Sequence, residues 1–322
     1  MNRREFLASA AAAPVALAAA PRLHARGLGG MLVALVTADT ESRIVAVDLA
    51  SGRVLGRLAT LPGPRSIESV LGRQAVVAHT SEGAVTIVEG AVPSIRRVLR
   101  AFGEPRYTAA TPDGRYAYVT DSARGEVVVL DLRRSRVVHR TDVGGPARHL
   151  SLETTGRRLW VSLGSKAASV ALLDLRDPAR PRLLGRIAPP FLAHDVGFAP
   201  DGRAWVTSGD RNELAVYDPG QRRVLHRLAA GSPPQHVTFA RGLAFVTSGK
   251  DGSLSVHELR TGRVLETTSV PVGSYNVQEG FGAVLTPSLD RGTLCVLSGR
   301  GKLIRRVQVA PSSHDACVMR RD

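Results

Sequence analysis

The chain carries nine histidines, and four of them fall at one position of a repeating pattern. Aligned on the start of one recurring strand, the sequence reads Ser66, Tyr107, His149, His194, His236, Asn276 and His314. Ile67 is an alternative to Ser66 in that register. A neutral imidazole nitrogen is the commonest protein ligand for copper, zinc and iron. Four such rings delivered to one place by separate repeats would form the donor set of a metal ion or of a metallated tetrapyrrole. The candidate metal ligands are therefore His149, His194, His236 and His314. Arg65, Arg106 and Arg148 precede the aligned position in three consecutive repeats, with Tyr107 beside them. Guanidinium groups there would meet an anion or a carboxylate. This makes Tyr107, Asn276, Arg65, Arg106 and Arg148 the candidate cofactor contacts. The competing account is structural, each ring capping backbone at the start of its strand.

A second chemistry is open to the same residues. A single histidine beside a carboxylate such as Glu153 or Glu279 could act as general base in a lactonase or lyase, although no motif fixes the pair and no catalytic residue is assigned. Asp195 and Asp315 follow two of the histidines directly, and strand alternation is expected to turn them away from the shared point. His79, His139, His226 and His257 lie in other strands and are expected to be surface or interstrand residues.

The elements that must position these side chains are strands. From residue 31 onward short apolar alternations are separated by Gly, Pro and Asp, with no sustained helical period. One unit recurs: a strand ending in Val-Thr, a polar loop, a strand closing on Asp, a Gly-Arg turn, a third strand, a Gly/Pro segment and a fourth strand. Equivalent points at Ile44, Val85, Val127, Val170, Leu214, Leu254 and Leu294 are 41, 42, 43, 44, 40 and 40 residues apart. A unit of about 40–45 residues with four strands is one propeller blade, so the spacing predicts an all-β, seven-bladed propeller of four-stranded antiparallel sheets. The longest interval accommodates Asp177-Pro178-Ala179-Arg180-Pro181 as a loop. Asp113-Gly114 and Asp201-Gly202 are expected to supply positive φ angles in hairpins, and Trp160 and Trp205 to pack between blades. The first copy lacks an inner strand and the last segment, 313–319, has no blade behind it. Pairing 313–319 with 31–37 would close the ring, leaving no second domain in 26–322.

A formal charge of +15 raises the question of nucleic acid. The excess is almost entirely arginine, with lysine only at Lys166, Lys250 and Lys302, and it is spread without a basic run or basic helical face. That distribution argues against a phosphate-tracking surface, and no nucleic-acid partner is expected. The two cysteines, Cys295 and Cys317, are expected to remain unbonded. A monomer is expected, with a small-molecule or metal ligand in the central channel and a propeller face free for a protein partner.

The repeats Val119-Thr120-Asp121-Ser122 and Val206-Thr207-Ser208-Gly209, with their Pro-Asp-Gly-Arg turns, resemble the YVTN-type propeller family. That family includes enzymes, cofactor holders and binding scaffolds. Asn2-Arg3-Arg4-Glu5-Phe6-Leu7 and the Ala-rich stretch after it resemble a twin-arginine (Tat) signal. The resemblance implies a signal over residues 1–25, export in the folded state and a periplasmic location with no permanent membrane span. The histidine column is similar to those of the propeller domains of nitrous-oxide reductase and haem-containing nitrite reductase, where channel histidines hold the cofactor. It has fewer histidines than a nitrous-oxide-reductase-type copper cluster needs. Together these features imply an exported protein that binds a metal ion or metallocofactor, with a redox-accessory or cofactor-assembly role.

Overall fold

The computed structural model describes residues 32–321; the signal expected over residues 1–25 lies outside them. The described residues form 28 strands, β1 to β28, in seven four-stranded antiparallel sheets. No helix among them is long and apolar enough to cross a membrane.

Six of the seven blades run outward from the channel in chain order. The inner strands are β4 (Pro64–Val70), β8 (Pro105–Ala110), β12 (Leu150–Leu152), β16 (Ala193–Phe198), β20 (Val237–Ala240), β24 (Gln278–Gly280) and β28 (Ala316–Arg320). The seventh sheet joins the ends of the chain in the order β28, β1 (Leu32–Ala38), β2 (Arg43–Asp48), β3 (Val54–Ala59). Leu32 pairs with Arg320 and Val36 with Ala316, so the closure expected from the split repeat is present, with Asp315 and His314 continuing it through hydrogen bonds to Thr37.

Most middle strands are near-continuous apolar runs because both of their faces are buried, with Ser253–Glu258, which carries Ser255 and His257, the clearest departure. In β1, Val33 and Leu35 join one inter-blade layer while Ala34 and Val36 join the layer on the other side. Period-2 alternation therefore sorts residues between two neighbours rather than between core and water. Seven such layers separate the seven blades. Trp160 and Trp205 are buried in two of them. Cys295 and Cys317 are free and lie in different layers.

The Val-Thr signature has a specific task. The Thr120 hydroxyl accepts the Tyr107 amide of its own blade and donates to the Arg148 carbonyl of the next. Ser162 does the same between His149 and His194, Thr207 between Asp195 and Gln235, and Thr247 between His236 and Tyr275. Thr37 carries the pattern across the closure, from Asp315 to Arg65. These buried hydroxyls satisfy backbone groups that the splayed inner strands leave unpaired.

The Pro-Asp-Gly-Arg hairpins differ from expectation in one respect. Only the glycines have positive φ, +65° at Gly114 and +84° at Gly202. Asp113 and Asp201 instead accept the amides of Arg115 and Arg203, an Asx-turn role. A different glycine shows how closely the loops approach: a Cβ on Gly292 would stand 1.6 Å from the Ala310 carbonyl oxygen.

Candidate functional site: a histidine cluster across the channel

His149 precedes the short β12, His194 lies at the start of β16 and His236 precedes β20, so three successive blades deliver them to the channel. One ring nitrogen from each lies within 4.8 Å of the others. His149 stands at the centre, its ring centroid 4.5 Å from that of His194 and 4.7 Å from that of His236, with the Tyr107 ring tilted against it at 4.2 Å.

Two of the rings are held at Nδ1, one by a hydrogen bond and one beside a carboxylate. His194 Nδ1 donates to the Ser165 carbonyl at 2.8 Å, and His236 Nδ1 stands 3.2 Å from Asp195 Oδ2. The bond to a carbonyl leaves Nε2 of His194 as its lone-pair nitrogen, and the contact with Asp195 resembles that of metal-binding histidines whose other nitrogen is held by a carboxylate. His149 is 1% exposed, and neither of its ring nitrogens has a hydrogen-bond partner. Burial, followed by His194 and His236, holds His149 well below the usual histidine range. Burial and His236 bring His194 down to about 4. Both rings are therefore neutral at neutral pH, the state in which imidazole binds metal.

The remaining candidates divide. His314 is brought down to about 3 by burial and by Arg65, and its unpartnered Nδ1 is 4.0 Å from Asp39. It lines the same basin as His194 and His236 but does not belong to the three-ring cluster. Arg65 and Arg148 also line that basin, with Tyr107 and Asn276. Asn276 donates to the His314 carbonyl. Arg148 is half-buried with an unpartnered Nε. Arg106 turns to the rim instead, bonded to Ser122 and Glu104 at 2.9 Å each, because an acid two residues earlier in the chain captures its guanidinium.

The strand register corrects the alignment. The residue whose amide meets the Val-Thr hydroxyl is Tyr107, His149 and His236 in three blades, but Asp195 and Asp315 in two others. His194 and His314 thus sit one place earlier than His149. Pairing of β16 slips between Ala193 and Val196, so strict alternation fails there and both His194 and Asp195 reach the channel. Asp195 and Asp315, expected to point away, line it. Asp195 Oδ2 accepts the amide of Val237, and Asp315 Oδ2 that of Ile67. Glu153 and Glu279 lie at the far rim, bonded to Thr155 and the Gly282 amide; the carboxylate beside a channel histidine is Asp195. His79 and His257 are buried interstrand rings holding carbonyls of Pro62 and Gly262.

Residues not singled out by sequence complete the surroundings. Lys166 and Lys250 join Arg65 and Arg148 in the basin, a cavity of about 310 Å³. Glu68, half-buried on β4, faces the opposite chamber near Asp315. Burial and Asp315 push Glu68 up to about 8, and burial pushes Asp315 up to about 7. Raised acids bind protons in the folded state that the unfolded chain has already lost. The stability they add is complete below about pH 4 and disappears as pH rises through 7 to 8. The lowered histidines act in the opposite sense, and only below about pH 6.5. Metal-free protein is thus expected to lose on the order of 1–2 kcal/mol between pH 6 and 8.5, about 2–3 °C in melting midpoint. Glu68→Gln should remove at least half of that fall. Equal pH slopes for the two proteins in calorimetry would refute the assignment.

No family model matches the chain. Over 239 residues it is 25% identical to the uncharacterized protein YncE of Salmonella typhimurium, across 69% of this chain and 65% of that protein. Over 265 residues it is 26% identical to the dihydro-heme d1 dehydrogenase of Pseudomonas aeruginosa, across 74% of this chain and 51% of that one. The matched regions thus span between half and two thirds of those relatives. The solved dihydro-heme d1 dehydrogenase NirN in complex with DHE superposes with a TM-score of 0.64 at 16% identity, covering 92% of this chain and 76% of that one. The superposition shows a shared propeller fold.

Proposed function

We propose that the chain is an exported propeller that binds a transition-metal ion in its channel through His149, His194 and His236, as a redox accessory or a cofactor-assembly protein. The observation that carries this reading is the unpartnered, buried His149 ring between two oriented neighbours. A tetrahedral ion with bonds of about 2.0–2.1 Å places its ligands about 3.3 Å apart. Nitrogens already within 4.8 Å reach that spacing by small ring rotations. Three imidazoles suit copper, zinc or iron, and a three-histidine set leaves a position open for a further ligand.

A metallated tetrapyrrole is the second reading, favoured by the cations of the basin and by the relationship to a dihydro-heme d1 dehydrogenase. On this reading Arg65 and Arg148 would hold carboxylates of the macrocycle, Tyr107, Asn276 and a channel histidine would be its other contacts, and the bound group would supply redox chemistry. The cavity, at about 310 Å³, is at the small end of ligand sites, which favours a bare ion with a small anion. Metal analysis and a visible spectrum of protein purified from its native host separate the readings. About one copper, zinc or iron per chain without a porphyrinoid band supports the ion, such a band supports the macrocycle, and neither metal nor colour would turn the reading toward a histidine–carboxylate hydrolase built on His236 and Asp195.

A further inference from the structure

The channel is divided by the histidine cluster into two compartments of opposite charge. Tyr107, His236 and Asn276 line both and form the wall between them. The basin on one side is lined by Arg65, Arg148, Lys166 and Lys250 and by no carboxylate. The chamber on the other side, about 340 Å³, is lined by Glu68, Glu153, Asp195, Glu279 and Asp315 and by no arginine or lysine. In a chain with a formal charge of +15, five acids with no arginine or lysine in the same lining stand out from the composition.

Two buried groups in the chamber lining indicate a ligand independently of the acids. Both nitrogens of His149 lack partners, and so does the Thr108 hydroxyl, 8% exposed. A buried polar atom without a partner costs about 1–3 kcal/mol, and a hydrated cation in the chamber supplies water and charge to such atoms. A cleft of one sign also concentrates counter-ions and speeds their arrival.

We propose that the acidic chamber is a cation vestibule: divalent ions enter the channel on this face, displace the protons held by Glu68 and Asp315, gather about these two acids and Asp195, and pass from there to the three histidines, while the basic basin repels them. The last step rests on the three-histidine reading; the gathering step does not. Two probes separate them, because carboxylates and water suit Mn²⁺ whereas imidazole suits Co²⁺ and Cu²⁺. Mn²⁺ alone, followed by loss of its free EPR signal, should bind the wild type and bind Glu68→Gln about tenfold more weakly. Co²⁺ alone, followed by its ligand-field absorption in stopped flow, should load the Glu153→Gln/Glu279→Gln protein several-fold more slowly than wild type, with the same final spectrum. Lys166→Gln/Lys250→Gln should leave that rate unchanged or raise it by less than twofold. Mn²⁺ affinity unaffected by Glu68→Gln overturns the vestibule, as does Co²⁺ loading that responds to the lysines and not to the glutamates. Mn²⁺ binding with no imidazole-type Co²⁺ spectrum would sink the histidine site and leave the vestibule standing.

Discussion

Replacing His149 with alanine is expected to weaken Co²⁺ or Cu²⁺ binding by more than about 100-fold, the largest loss from any single change in the channel. His149 is the central ring, in contact with both His194 and His236, and its loss leaves two donors for an ion that needs at least three protein ligands. Asp195→Asn should cost less, about 10–100-fold, because it removes the carboxylate that orients His236 rather than a ligand. His314→Ala, outside the cluster, should cost under tenfold. The order of these three losses distinguishes a metal site from rings that only cap backbone, for which no order of affinities would exist. Calorimetric titration supplies it, and equal affinities for wild type and His149→Ala would end the metal reading. A thermal melt gives an independent check, since metal at about 1,000 times its Kd adds about 4 kcal/mol to the wild type. Protons compete only below the ordinary histidine range at His149 and His194, because burial disfavours their charged forms. As far as these two rings are concerned, affinity should hold from pH 7 to about 5.5 and fall at more acid pH.

The blade count was legible because a propeller repeats its physics as well as its sequence. Each blade has two middle strands buried on both faces, which gives a pair of apolar runs per repeat, and the Val-Thr or Val-Ser hydroxyls bridge adjacent blades, which gives the recurrent motif. The histidines were legible as a set for the same reason. Their exact register was not. A bulge moves a side chain by one position without altering composition or spacing, and the slip between Ala193 and Val196 brings His194 and Asp195 together into the channel. The separation between a column residue and its Val-Thr partner is 13 residues for His149, 12 for Asp195 and 11 for His236. Hairpin length therefore hides the offset, and the partner hydroxyl reveals it only once the strands are paired. The separation of charge across the channel was also hidden. Glu68, Asp195 and Asp315 come from three blades, and Lys166 and Lys250 from loops whose sequence neighbours give no sign of facing one cavity.

Deleting residues 314–322 is expected to abolish the folded monomer, because β28 is the one strand on which both ends of the ring depend. It supplies the inner strand of the sheet that begins with β1. Its side chains alternate between the two flanking layers, Ala316 and Val318 in one and Cys317 and Met319 in the other. All four are buried. Full burial of a valine or methionine contributes about 1.5–3 kcal/mol, and the backbone pairs with β1 and the Asp315 contacts to the Ile67 amide and Gln278 are lost as well. The sum is comparable to the whole stability of a typical domain, about 5–15 kcal/mol. The exposed edge of β1 would also become a template for pairing with other chains. Size exclusion should therefore show aggregates in place of a monomer peak, with no cooperative melt. A synthetic peptide covering 312–322, added during refolding, should restore part of the monomer by supplying the missing strand. A truncated chain that elutes as a monomer and melts like the full-length protein would mean that the first blade closes the ring without its inner strand.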